Sequence, residues 1–435
     1  MKIKPQIIAL ISFFIVIIVV LVVMIISQNS NTTSNNTQVE KMVNGRSQSG
    51  DMGGPSKNTV ATKVDDIEIP AISSTDELKN AVLNAKTWEY NLKDKHLDSS
   101  VDENNAIKVD VSGKSGYTIT DSGTYIFTGQ NDNFQLVVNA GKKDDVRVVL
   151  NNVHLAKSNA PVIDVKAADH LTLILPANTS SYLGDTLHTI ADSDPNGVIY
   201  SESDLILVGM GKLDVISTSG HAIRSKGDIF LNANEVSVNS AGSGIKSSDG
   251  LYVLGGSYAI SAANDGVRAN DDLVVLDGKV DITKSNEGIE SSRINLLGGE
   301  INVVASDDGI NASQKVTDEE NTTTENREAA QPGVWIYIAG SKLTVKANAD
   351  GVDSNGHLLV TGGDISITCA DRGGDGPIDA NGYVLNEGGN FTINGEQKAS
   401  IEQYLESSGE PNGGFGNQQP NFENNPQAKN QSRTK

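Results

Sequence analysis

The sequence has few of the residues on which a compact globular enzyme usually relies. It contains a single cysteine, Cys369, which excludes an intrachain disulfide and a metal site made of thiolates. Aromatic residues make up only 5% of the chain, and proline occurs 11 times in 435 residues. Glycine, in contrast, occurs 43 times. This composition predicts many short β-strands joined by tight turns rather than a large helical core.

Positive charge is also scarce. The chain has 34 lysine and arginine residues against 55 aspartate and glutamate residues, which gives a formal net charge of −21. Because binding to phosphate backbones needs a basic surface, this balance excludes nucleic acid as an expected partner.

One long hydrophobic run lies near the N-terminus. Residues 7–26 carry no charge, and Lys2 and Lys4 precede them. A helix of this length spans roughly 30 Å, the thickness of the bilayer core. We therefore predict a cytoplasmic stub and transmembrane anchor over residues 1–26, in a single-pass protein of the cell membrane whose C-terminal domain is extracellular. A cleaved signal peptide, and hence a secreted protein, is the alternative.

Two polar segments, residues 27–73 and 406–435, lack hydrophobic periodicity and are predicted to be a disordered stalk and a disordered tail. Between the stalk and the repeats, residues 74–117 are predicted to form an N-terminal cap. Ser74 and Glu77 have the spacing of a capping box, so a short helix is expected to begin there and to cover the first coil.

A repeat of about 22 residues dominates the rest of the chain. Its signature is a glycine followed by isoleucine or valine, a polar residue and a small residue. Successive signatures begin at Gly244, Gly266, Gly288, Gly309 and Gly351, and Gly376-Pro377-Ile378-Asp379 continues the series. The longer gap before Gly351 is explained by a polar insertion over residues 313–332.

Each period also contains two further short hydrophobic segments, such as residues 294–297 and 301–304. Three strands in so few residues do not fit a hairpin meander, but they fit one coil of a parallel β-helix whose strands pair with those of the next coil. We predict an all-β fold, a single-stranded parallel β-helix of nine to ten coils over residues 118–405.

An acidic residue precedes the signature glycine in five repeats: Asp265, Glu287, Asp308, Asp350 and Asp375. Stacked about 5 Å apart, such carboxylates repel by roughly 1 kcal/mol per pair even in water. Calcium, which binds several carboxylate oxygens, offsets this repulsion, and Asp307, Asp353 and Asp379 add nearby oxygens. These eight residues are the predicted calcium ligands. The alternative is that Asp-Gly simply favours a turn and the carboxylates are hydrated.

The residue two positions after each glycine is expected to point outward, since its hydrophobic neighbour faces the core. This column is basic in the earlier repeats and acidic in the later ones, which suits an anionic sugar chain. The predicted carbohydrate-binding residues are Arg224, Lys246, Arg268, Glu290, Arg293 and Asn311. A solvated charged face without a ligand is the alternative.

These segments together resemble a known family. Thr118–Ile126 (TITDSGTYI), Ser203–Leu213 (SDLILVGMGKL) and the repeated Asp-Gly-Ile/Val coils are similar to carbohydrate-binding β-helix proteins that bind acidic polysaccharide and cellulose and have a fold like that of pectate lyases. The resemblance implies a right-handed helix, calcium held by loop carboxylates, and sugar binding without known catalysis.

The function expected from these features is non-catalytic, calcium-assisted binding of a polysaccharide rich in uronate. Three alternatives stay open. Calcium-dependent elimination would use Lys246, Arg268 or Arg293 as the base, and inverting hydrolysis would use paired carboxylates such as Asp307 and Asp308. A purely structural adhesin needs no ligand. The six histidines show no metal-ligand spacing in the sequence, so a zinc site is not expected.

Overall fold

The structure is a computed structural model that describes residues 62–64, 67–69, 71–185, 195–314, 329–370 and 375–401. The predicted membrane segment, the predicted disordered tail, and most of the predicted stalk and of the 313–332 insertion lie outside these residues. Within them, no helix is long and apolar enough to cross a bilayer.

The described chain winds into a parallel β-solenoid. One sheet consists of eleven short parallel strands, one per coil, and we call it the first face. Its strands are Gly116–Ile119, Gln135–Asn139, Ile163–Ala167, Gly197–Ser201, His221–Ser225, Ile245–Ser247, Val267–Arg268, Ile289–Ser291, Ile310–Ala312, Val352–Ser354 and Ile378–Ala380. The solenoid therefore has about eleven coils rather than the nine or ten predicted.

A second sheet of 19 strands wraps around the other two sides of each coil. Five long strands bend from the second face to the third: Gly123–Asn131, Asp145–Lys157, Asp204–Ser217, Ile229–Ser240 and Leu251–Ala262. The second face also contains Ile107–Asp110, His170–Leu175, Asp272–Val275, Arg293–Leu296, Trp335–Ile338, His357–Val360 and Val384–Asn386. The third face adds Ser180–Asp185, Lys279–Ser285, Glu300–Ala305, Lys342–Lys346, Asp364–Thr368, Asn390–Ile393 and Glu396–Lys398.

The corner between the second and third faces depends on glycine. Gly209 and Gly256 have φ values of +114° and +88°, which side chains with a Cβ rarely adopt. A Cβ on Gly256 would lie 1.8 Å from the Ala233 carbonyl oxygen of the preceding coil. Glycine at this corner thus allows consecutive coils to stack closely while the strand changes direction.

Aliphatic side chains fill the inside of the solenoid in columns that follow the register between coils. Ile245 pairs with Val267, and Val267 pairs with Ile289. All three side chains are at most 2% exposed. Strand pairing and hydrophobic burial therefore repeat together from coil to coil, as the 22-residue period predicts.

Residues 71–106 form a strap along the outside of the second face. It contains helix α1 (Thr75–Ala85) and the short helix α2 (Asp94–Leu97). As the capping box predicts, the Ser74 side chain caps α1 by accepting a hydrogen bond from the Glu77 backbone N–H. The Glu77 carboxylate accepts from the Ser73 N–H instead of that of Ser74.

The strap runs from the late coils to the early ones. Leu78 of α1 packs with Trp335 and Leu359 of the ninth and tenth coils. Further along, the Tyr90 ring lies 5.6 Å from that of Phe230 in the fifth coil. Helix α1 therefore lies against the late coils, whereas the sequence placed it over the first coil.

The final coil ends in an antiparallel hairpin. Asn390–Ile393, the last parallel strand of the third face, pairs in the opposite direction with Glu396–Lys398. This hairpin ends the parallel ladder. A separate antiparallel pair, Thr62–Val64 with Ile67–Ile69, precedes the strap.

Candidate functional site

The predicted outward column lies on the first face. The strand register links its members in a continuous line, one residue per coil. The column consists of Tyr200, Arg224, Lys246, Arg268, Glu290, Asn311, Asp353 and Asp379. In strands such as Ile245–Ser247, the middle residue is partly exposed between two buried ones. The alternation of side chains along a strand thus directs these polar groups away from the core.

The acidic residues before the glycines stack only in part as predicted. Backbone hydrogen bonds connect each glycine to the carbonyl of the corresponding acid in the next coil, through Asp265, Glu287, Asp308 and Asp350. In the next coil this position belongs to Gly376, whose carbonyl accepts from the Gly351 N–H. Asp375 therefore lies one residue outside the ladder, because Pro377 lengthens that repeat by one residue.

The early part of the column is basic and crowded. Burial, together with the neighbouring Arg268 and Arg224, lowers the pKa of Lys246. The Arg268 guanidinium forms an ion pair with Glu290 of the next coil and lies 3.5 Å from an Asp265 carboxylate oxygen. Arg268 is thus the point where the sign of the column changes.

The later part of the column gathers partly buried carboxylates. Burial raises the pKa of Asp353 to about 8, and repulsion by Asp308 and Asp350 adds to this increase. Burial, together with repulsion by Asp308, Asp379 and Asp375, raises the pKa of Asp350 to about 7. Among the described residues, no lysine or arginine forms an ion pair with Asp308, Asp350 or Asp353. A bound cation would supply the charge compensation that they lack.

Several of these carboxylates are close enough to share an ion. Oxygens of Asp265, Glu287 and Glu290 all lie within 4.8 Å of one another. Carboxylate oxygens in a flexible arrangement are the donors that calcium prefers. The donor set therefore fits calcium. Burial and repulsion by Glu290 raise the pKa of Glu287.

Three predicted site residues lie apart from the column. Arg293 is on the second face, 1% exposed beneath the strap, where it pairs with Asp272 and lies against Trp335. A sugar chain cannot reach it there, so the prediction for Arg293 is wrong. Asp307 is exposed in the turn beside Asp308, and Asp375 is outside the ladder.

The structure also brings together three residues that the sequence did not suggest. His96, Asp145 and His170 have ligand atoms within 4.8 Å of one another. They are separated by 49 and 25 positions in the chain, so no local motif indicates the cluster. His96 lies in the short helix α2 and His170 begins a strand, and neither is part of a ligand motif that the sequence would show.

Comparisons with known proteins find a sequence relative and a solved structure that are similar to parts of this chain. A carbohydrate-binding domain-containing protein from Acetivibrio thermocellus is 27% identical over 158 residues, which cover 35% of this chain and 55% of that protein. The chain thus spans about half the length of this relative. A gadolinium derivative of a polysaccharide lyase-like protein from C. thermocellum aligns with 69% of this chain and 98% of its own, at 21% identity and a TM-score of 0.34.

The family assignment comes from the sequence of the solenoid itself. The sequence profile for carbohydrate-binding domain-containing proteins matches residues 113–376, which include nearly all of the coils and the whole charged column up to Asp353. This match extends over more than half of the chain, which therefore belongs to the carbohydrate-binding domain-containing protein family.

Proposed function

We propose that the protein is a membrane-anchored, extracellular binder of acidic polysaccharide and that the first face carries the ligand without cleaving it. Residues 7–26 would hold it in the membrane. The observation that supports this proposal is the charged outward column, one residue per coil, whose sign changes between Arg268 and Glu290.

The basic part would bind the carboxylates of the sugar chain. Arg224, Lys246 and Arg268 lie in successive coils, with their side chains partly exposed. Guanidinium groups form paired hydrogen bonds to carboxylates. The crowding that lowers the pKa of Lys246 would be relieved by an anionic ligand, because a negative charge favours the protonated amine.

The acidic part would act through calcium. Asp265, Glu287 and Glu290 supply one group of oxygens within 4.8 Å of one another. Asp308, Asp350 and Asp353 form a second set of partly buried carboxylates that repel one another. When bound, calcium neutralises the repulsion within each group and adds a positive charge for sugar carboxylates. The residues of the outward column would then hold the sugar chain along the solenoid axis, because each coil presents one side chain of the column.

The direct test compares binding of the full chain to polygalacturonate and to a neutral glucan, with calcium and with a chelator. We expect tight binding only to polygalacturonate in calcium. Arg268→Gln should weaken that binding by roughly tenfold, because a charged hydrogen bond contributes about 1.5 kcal/mol.

A matched control is Lys212→Gln. Lys212 is also part of an ion pair, with Glu235, but it lies on the third face. We expect this variant to bind like the wild-type protein. Equal binding of the neutral glucan, or equal losses in both variants, would contradict the first-face proposal.

Calcium-dependent elimination is a second candidate, and the state of Lys246 favours it. A lysine with a lowered pKa is better suited to remove the proton next to a uronate carboxylate. Prolonged incubation with polygalacturonate, with absorbance by unsaturated product as the readout, distinguishes the two. If the wild-type protein turns over polygalacturonate and Lys246→Met does not, the protein is a lyase rather than a binder without catalysis.

A further inference from the structure

A second cluster of metal-ligating side chains lies where the strap meets the early coils. His96 belongs to the strap helix α2, and Asp145 and His170 pair directly in the register of the second and third coils. The rings of His96 and His170 face each other with centroids 4.4 Å apart. Two segments that are distant in sequence thus contribute imidazoles to the same small space.

Four buried polar atoms of this cluster have no hydrogen-bond partner. His96 is only 7% exposed, yet neither of its ring nitrogens forms a hydrogen bond. Nδ1 of His170 and Oδ1 of Asp145 are likewise buried without one. Buried polar atoms are normally satisfied, and leaving them so costs about 1–3 kcal/mol each. Each of the three residues contributes at least one of these atoms, and a bound cation would satisfy them.

The spacing of these atoms fits a small tetrahedral cation. Nε2 of His96 lies 3.5 Å from Oδ2 of Asp145, and Nδ1 of His170 lies 3.4 Å from Oδ1 of the same carboxylate. Ligand atoms about 2.0 Å from a shared tetrahedral ion are about 3.3 Å from each other. Since one ligand atom of each residue lies within 4.8 Å of the others, an adjustment of the side chains would bring the three to these distances.

The surrounding charges are compatible with this arrangement. Asp204 lies 3.7 Å from Nε2 of His170, on the side from which a carboxylate commonly orients a metal-bound histidine. Asp169 lies 3.1 Å from Nδ1, while Lys95 binds Asp145 at Oδ2 and leaves Oδ1 available.

We propose that His96, His170 and Asp145 bind a divalent cation of the zinc class, with Asp169 or water in the fourth position. Two imidazoles and one carboxylate select zinc, cobalt or nickel over calcium, which prefers oxygen ligands only. The ion would fasten the strap to the early coils, next to the place where Arg147 donates to the carbonyl oxygens of Asp98 and Ser100.

The test is a titration of the metal-free full chain with zinc alone, followed by calorimetry and elemental analysis. We expect one equivalent of zinc per chain. Cobalt should bind in its place and produce the visible absorption of a tetrahedral site. His96→Gln and Asp145→Asn should each weaken zinc binding by at least about tenfold.

The matched control is His154→Gln. His154 is also a histidine near an aspartate, Asp132 at 3.4 Å, but it is exposed and lies outside the cluster. Circular dichroism and polygalacturonate binding report whether each variant is folded. The proposal is overturned if the wild-type chain binds no zinc, if folded His96→Gln binds zinc as well as His154→Gln does, or if calcium displaces zinc at equal concentration.

Discussion

The first and second faces of the solenoid differ in whether their outward-pointing side chains are covered by another part of the chain. On the first face, strands such as Ile245–Ser247 alternate buried and partly exposed residues, and the polar side chains remain at the surface. On the second face, four successive residues of Arg293–Leu296 or Trp335–Ile338 are all buried. The difference arises from the strap, which covers one face and leaves the other accessible.

Because of this contrast, we expect the outward side chains of the second face to affect stability and those of the first face to affect ligand binding. Outward side chains of the second face, such as Phe230, Tyr252 and Trp335, contribute to hydrophobic burial because strap residues cover them. Outward side chains of the first face have no such cover and carry charge instead. Substitutions on the second face should therefore change folding, and those on the first face should change binding.

The largest effect is expected from breaking the buried ion pair under the strap. In Asp272→Ala, Arg293 loses the carboxylate that it contacts at 2.6 Å through Nε. An uncompensated buried charge typically costs 3–5 kcal/mol, so we expect a loss of about that size in the free energy of unfolding. Urea denaturation measures it. The exposed pair of Lys212 and Glu235 is the control, and Glu235→Ala should cost less than about 1 kcal/mol.

Truncating a fully buried side chain of the strap should have the next largest effect. Leu78 is 0% exposed against the ninth and tenth coils, so Leu78→Ala should lower the free energy of unfolding by about 2–5 kcal/mol. Lys246→Met on the first face should leave it unchanged or raise it, since it removes a charge between two arginines. Similar losses in the free energy of unfolding of Leu78→Ala and Lys246→Met would contradict the expected difference between the two faces.

Calcium should stabilise the first face by an intermediate amount. At a concentration about 100 times its dissociation constant, a bound ion adds about 2.7 kcal/mol to the free energy of unfolding. We expect the melting temperature to fall when a chelator is added and the fall to be smaller in Asp353→Asn. A chelator that leaves the wild-type curve unchanged would count against calcium.

The last effect, which is visible only below neutral pH, concerns the acid sensitivity of the second face. Burial lowers the pKa of His357 from 6.5 to about 4, and its Nδ1 accepts a hydrogen bond from the Tyr383 N–H. His357 is therefore protonated at a higher pH in the unfolded chain than in the folded chain. The contribution of neutral His357 to the free energy of unfolding is fully present above pH 6.5 and is lost as the pH falls toward 4.

Comparing His357→Gln with the wild-type protein tests this dependence. The difference in melting temperature between the two should change as the pH is lowered from 7 to 4, with the wild-type protein losing more. A constant difference across this range would show that His357 does not titrate as its burial implies.

Much of the fold could be predicted from the sequence because the period is encoded locally. Each coil repeats the same glycine, aliphatic and polar residues, so the register from Arg224 to Asp353 follows directly from spacing. The prediction failed where one residue was added. Pro377 shifts the last signature, and Asp375 therefore leaves the ladder although it precedes a glycine.

The strap and the histidine cluster could not be found in the same way, since they depend on contacts between distant segments. One signal for the strap was present, however. Leu205, Ile206, Leu207 and Val208 are consecutive apolar residues, which is typical of a strand buried on both sides. Arg293 was misplaced for the same reason: a covered second face makes it a buried partner of Asp272 rather than a surface residue.

The direction of the strap has a mechanical consequence. A stack of coils normally frays from its ends, because each coil contacts only its neighbours. Here the Tyr383 hydroxyl donates to the Ser73 carbonyl oxygen at the last coil, and Lys95 binds Asp145 near the first. Peeling away either terminus must therefore disturb a tether to the other, so the solenoid should open as a single cooperative unit under heat or pulling force rather than one winding at a time.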